Sequence, residues 1–164
     1  MNPILRGVLI FLGLLVVLAC IGGVFLYQGM QDYQDRAVAT EATGTLSALT
    51  MDVEHYVVDH CELPSDLPKT GDPADCCGGE QCQMDADAAA EWEASELGTA
   101  RSMVREALPA YFTYEAVKVD SSTYELRAEA DFDCESPNHT VTKRIMLEGC
   151  DAVAEPETVE NEFQ

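Results

Sequence analysis

Hydrophobic and polar positions change their rhythm three times along this chain. From Gly7 to Tyr27 the residues are uncharged and mostly apolar (GVLIFLGLLVVLACIGGVFLY). A helix of that length spans about 31 Å, close to the hydrocarbon thickness of a bilayer. The run lacks the polar stripe of a helix lying on a small soluble domain, so it predicts a membrane-spanning helix over 7–27. Beyond it, Ala42, Leu46, Leu49, Val53 and Tyr56 or Val57 recur at steps of three or four, the period of an amphipathic helix. No proline interrupts residues 4–62. The pattern therefore predicts that the spanning helix continues outside the membrane over 28–60. Together they would form one rod of about 80 Å, with Gly22, Gly23, Gly29 and Gly44 as soft points.

Residues 61–84 carry Pro64, Pro68, Pro73 and three glycines, and read as an irregular loop. A loop of that length stays compact only when tied down, which Cys61, Cys76, Cys77 and Cys82 can do. Over 85–108 the composition turns helix-friendly, with a break at Gly98 and with Trp92 and Leu97 as core contacts. After Pro109 the period becomes two. Tyr124, Leu126, Ala128, Ala130 and Phe132 alternate with Glu125, Arg127, Glu129 and Asp131, which predicts a half-buried strand. Tyr111–Val117 alternates likewise, and Thr140–Leu147 puts Val141, Ile145 and Leu147 on one face. Turns at 120–122 and 136–138 would join them as an antiparallel meander. The acidic stretch 151–164 is expected to be a disordered tail. The sum is an α+β fold: a long N-terminal helix packed on a small antiparallel sheet of three or four strands, with 85–150 supplying the short helices and the sheet.

Charge narrows the partners. The chain has 30 Asp and Glu against 9 Lys and Arg, a formal net charge of -21. That balance repels nucleic acid and anionic lipid headgroups. The self-repulsion it creates is screened by salt, so stability is expected to rise with ionic strength. Arg6 precedes the apolar run whereas Asp32 and Asp35 follow it, and positive flanks stay cytoplasmic. Residues 1–6 are then a short cytoplasmic N-terminus, and the rest of the chain after the membrane lies outside the cytoplasm.

The cysteines agree with that orientation. Cys61, Cys76, Cys77, Cys82, Cys134 and Cys150 form an even set beyond the membrane run, which in an exported domain predicts disulfides over a zinc site. Which cysteine pairs with which stays open. A Cys134–Cys150 bridge, for instance, would close a loop of about 15 residues and stabilise by about 3 kcal/mol.

Groups suited to catalysis are sparse. His55 and His60 stand five apart, off the four-residue step that brings two imidazoles to one zinc, and His139 is distant in sequence. There is no nucleophile elbow, phosphate loop or zinc-protease motif. The expectation is a protein that is not an enzyme and carries no cofactor. Asp131, Asp133 and Glu135 make a partial calcium-loop pattern, but Ser136 and Thr142 stand where an EF-hand has its glycine and distal glutamate. They are expected to be solvated turn carboxylates. Val17-Leu18-Ala19-Cys20 resembles a lipobox, yet the residues after Cys20 are apolar and not a polar tether. A single acyl chain would be redundant beside a spanning helix, so Cys20 reads as a small buried apolar residue.

The order helix first, sheet last resembles that of type IV pilins and the pseudopilins of type II secretion. Tyr33-Gln-Asp-Arg-Ala37, Glu41-Ala42, Leu46 and Leu49 are similar to pilin helix just outside the membrane. Cys76-Cys77-Gly-Gly-Glu-Gln-Cys82, Trp92, Leu97, Tyr111-Phe112-Thr113-Tyr114 and Ala128-Glu-Ala-Asp131-Phe-Asp133-Cys134 are similar to a cysteine-bearing group of bacterial pilin-like proteins. The likeness spans about residues 7–150. One departure matters. Arg6-Gly7 can be a leader-processing site, but Val-Leu-Ile-Phe-Leu follows without the glutamate of assembling pilins. The resemblance implies a bacterial inner-membrane protein with a periplasmic or extracellular domain. Its partners would be the membrane and, through helix faces, itself or other pilin-like subunits, in a tip or accessory role. The alternative is a membrane-anchored binding module that does not polymerise.

Overall fold

The computed structural model describes residues 40–79, 81–106, 110–131, 134 and 138–160, and only the backbone of 76, 78 and 79. The expected spanning helix over 7–27, its flank 1–6 and its continuation as far as 39 lie outside the described residues. Among the described residues no helix is long and apolar enough to cross a membrane. The chain divides into two compact units, Met1–Val38 and Ala39–Gln164, and the second is an α+β domain.

Helix α1 occupies 40–60. Its apolar stripe is fully buried: Ala42, Leu46, Leu49, Val53 and Val57 all have 0% exposure. Val57, not Tyr56, takes the last step of the period. Thr50 falls on the buried side, and its hydroxyl is satisfied by donating to the Leu46 carbonyl at 2.7 Å. Past the last turn, Cys61 adopts a left-handed conformation with φ 54°, and its N–H donates to the Val57 carbonyl at 2.8 Å. A left-handed residue at that place ends a helix.

Two short helices follow the loop, α2 (Ala86–Ala94) and α3 (Gly98–Arg105). Gly98 opens α3, and the break falls over 95–97. Trp92 is fully buried, and its indole N–H donates to the Pro68 carbonyl at 2.8 Å, fixing α2 to the loop. α3 has no capping side chain of its own. Asp52 of α1 supplies one, accepting the Thr99 N–H at 2.5 Å.

The sheet has five strands: β1 (Thr113–Lys118), β2 (Thr123–Ala130), β3 (His139–Glu148), β4 (Asp151–Ala154) and β5 (Thr158–Glu160). β1, β2 and β3 form the expected meander, and β4 and β5 both pair antiparallel with β3. Tyr114 lies opposite Ala128, which lies opposite Val141. Tyr114, Ala116, Tyr124, Leu126, Ala128, Val141 and Ile145 are each at most 2% exposed and form the core face.

Two expectations need correction here. The sheet has five strands where three or four were expected, and the supposed disordered tail carries β4 and β5. Gly149, at φ 73°, allows the chain to reverse directly after β3. The edge of β3 then recruits 151–160 by backbone pairing, which an acidic composition does not prevent. The loop over 61–84 is likewise ordered. It covers the free edge of β1 through Leu67 and Ala116, whose N–H groups donate to each other's carbonyls at 2.7 and 3.1 Å. It also contains a 3-10 helix, Pro73–Gly79.

Candidate interaction surfaces

Disulfides join distant parts of the domain. Cys61 pairs with Cys150 across 89 residues, and Cys77 with Cys134 across 57. The local Cys134–Cys150 clamp is therefore not formed. Cys150 sits in the β3–β4 turn and meets the end of α1, whereas Cys134 meets the 3-10 helix. Cys82 is disulfide-bonded as well, and the side chain of Cys76 lies outside the described residues. The described stretch of α1 is thus tied to the sheet side at the Cys61–Cys150 bridge and at Glu41, whose carboxylate accepts the Tyr114 hydroxyl at 3.0 Å.

With its stripe buried, α1 presents its other face to water. Thr40, Thr43, Gly44 and Ser47 are exposed there, followed by Met51 at 55% and Val58 at 60% exposure. Gly44, Ser47, Met51, His55 and Val58 follow one another at steps of three or four, so they share a face. Between Thr40 and Met51 the single ionisable residue is Glu41, and it is turned inward. Among the described residues, a Cβ added at Gly44 meets nothing within 4 Å. A glycine in a helix interior costs about 1 kcal/mol relative to alanine.

A second surface lies on the outer face of the sheet. The register sets Glu125 opposite Arg144, Arg127 opposite Thr142, and Thr142 opposite Thr158. Alternation places Glu125 toward water, yet it is only 5% exposed. Arg127 Nη2 and Arg144 Nε close over it, donating to its two oxygens at 2.7 and 2.9 Å. Burial pushes the Glu125 carboxyl up, but the bonds and charges of Arg144 and Arg127 outweigh it and hold the group below the usual carboxylate range. Arg127 also lies 3.8 Å from Glu115 and from Glu129, and Lys69 pairs with Glu129. Glu125, Arg127, Glu129, Thr142 and Arg144, with Thr140, Thr158, Glu160 and the linker at Glu155 and Pro156, line an open polar cavity of about 380 Å³. The opposed charges in Glu125-Leu-Arg127-Ala-Glu129 were the one sequence signal for this ladder.

The histidines and the weak calcium candidates do not converge. His55 and His60 are exposed on α1, and His139 is buried at 6% exposure with its ring 6.0 Å from that of Phe112. Asp131 is 9% exposed, and its Oδ1 has no hydrogen-bond partner among the described residues. Its supposed companions Asp133 and Glu135 lie outside the described residues, as do Arg6, Gly7 and Cys20. Among the described residues no group of three or more His, Cys, Asp or Glu is placed to hold a metal. Comparison of the chain with protein-family models, with curated proteins and with solved structures finds no match.

Proposed function

We propose that this chain is a structural or accessory subunit of a pilin-like, extracytoplasmic assembly, held in the bacterial inner membrane by 7–27 and without catalytic activity. The observation that carries the reading is the exposed face of α1. In a chain of net charge -21, two copies repel one another wherever carboxylates face outward. The strip from Thr40 to Met51 is free of outward charge, carries a glycine with open space around it, and adjoins the exposed Met51 and Val58. A surface of small uncharged residues lets a second helix approach closely. The apolar run over 7–27, as a spanning helix, would hold neighbouring copies in one orientation and in one plane.

The polar cavity on the outer sheet face favours a second reading, an anchored binding module that stays monomeric. Extraction from native membranes in mild detergent separates the two. Large shear-sensitive or detergent-resistant assemblies support the subunit reading. A monomer that keeps to one small size at every protein concentration contradicts it. The intact mass tests the membrane topology independently: loss of six or seven N-terminal residues would mean cleavage near Arg6-Gly7, and a full-length N-terminus a permanent anchor.

A further inference from the structure

The last two strands lie along β3 in different registers. β4 sets Ala154 opposite Ile145, whereas β5 sets Thr158 opposite Thr142. Four steps along this acidic segment therefore answer three steps along β3, and the extra residue falls in the linker 155–157. The Glu155 N–H still donates to the Arg144 carbonyl at 2.8 Å, but Pro156 has no N–H to give to a ladder. The linker is a bulge that separates β5 from β4.

The two strands are also held differently. The Cys61–Cys150 bridge fixes the β3–β4 turn to the end of α1, directly before β4 begins at Asp151. β5 lies beyond the bulge, and its three residues are all exposed, Val159 at 46%. Backbone pairing places it, with Thr140 opposite Glu160, Val141 opposite Val159 and Thr142 opposite Thr158, and with Glu157 4.0 Å from Lys143. The edge of β3 beneath it needs a strand: Val141 belongs to the core, and an open edge is a template for pairing. The same segment walls the outer-face cavity with Glu155, Pro156, Thr158 and Glu160.

We infer that β5 is an exchangeable strand, hinged at Pro156, which pairs with β3 of a second copy as it does with β3 of its own. The same residues then meet in the same register, so the pairing of β5 is kept through the exchange. The hinge and the protein concentration set the balance between the two forms. Three linker residues reach about 10 Å when extended, which brings the two β3 edges side by side. Both segments cross about one two-fold axis, and each outer-face cavity is walled by the segment of the other copy. The disulfide keeps β4 on its own chain, so the exchange stops at the bulge. This contact is separate from the outward face of α1, and it is compatible with either reading of the function.

The test uses the full-length protein in detergent, with Cys20→Ser as background. Thr140→Cys and Glu160→Cys, opposite one another in the β3–β5 register, are made in separate chains. The chains are mixed, incubated and oxidised, and linked peptides are identified by mass spectrometry. Exchange predicts a 140–160 link between chains whose fraction rises with protein concentration. It should stand about tenfold above the link in a mixture of Glu160→Cys with Ser121→Cys. Deleting Pro156 gives β4 and β5 one register and should lower the yield about tenfold. A 140–160 yield no higher than that of the Ser121 mixture, or one unchanged without Pro156, overturns the inference. If the deletion variant does not fold, the first mixture still decides. Failure here leaves the α1 reading standing, since that contact is read at Ser47.

Discussion

Glycine at two positions shows how differently the same residue can be used. A Cβ on Gly71 would lie 2.7 Å from the backbone carbonyl oxygen of Gln83, closer than a carbon can stand. Gly71→Ala must therefore displace backbone where the two arms of the loop meet at Gln83, and should cost about 1–3 kcal/mol in chemical denaturation. Gly44→Ala meets open space, so it should stabilise the monomer by about 0.5–1 kcal/mol. On the account given above it should at the same time weaken association. Glu125 makes a third case. Its carboxyl is held low by Arg144 and Arg127 despite its burial. That contribution is present above the ordinary value of 4.5 and is lost as pH falls through the lower folded value. Glu125→Gln should therefore cost about 2 kcal/mol at neutral pH. Its deficit relative to wild type should shrink as pH drops below 4.5, measured as melting temperature against pH.

Elements held by their own periodicity were legible in the sequence. The buried stripe of α1 and the alternation of β2 both gave their faces, because a long run repeats its signal many times. β4 and β5 were hidden: Asp151–Ala154 and Thr158–Glu160 are too short to show a period, and their exposed acidic residues resemble a tail. Their order comes from the vacant edge of β3, which only the assembled sheet provides. Asp52 capping α3 and the burial of Glu125 were hidden for a like reason, since their partners lie 47 and 19 residues away. The cysteine pairing was closed to sequence reasoning because it depends on which turns the fold brings together. Cys61–Cys150 fixes the end of α1 to the β3–β4 turn across 89 residues. In the chain-entropy model a loop of that size is worth about 4–5 kcal/mol. Replacing both cysteines by serine should lower stability by roughly that amount. It should also expose β4 to amide exchange before β1 and β2; equal loss of protection in all strands would mean that the bridge does not act locally.

For the molecule as a whole, charge is the dominant feature. With 30 acidic residues against 9 basic ones, the chain carries a net charge of -21 that resists compaction. Unfolding free energy should rise by about 1–2 kcal/mol between low salt and about 1 M sodium chloride, as screening shortens from tens of ångströms to a few. A flat curve would show that the ion pairs of the sheet already offset the repulsion. In the proposed assembly the same charge restricts where copies can meet, and the outward face of α1 is the place proposed. Ser47→Cys, placed in the middle of that face, allows the most direct test, using a short bismaleimide added to intact membranes. The account predicts covalent dimers of this variant, while an equivalent cysteine at Ser121, in the β1–β2 turn, stays monomeric. Monomer alone at Ser47, or equal cross-linking at both positions, would contradict it.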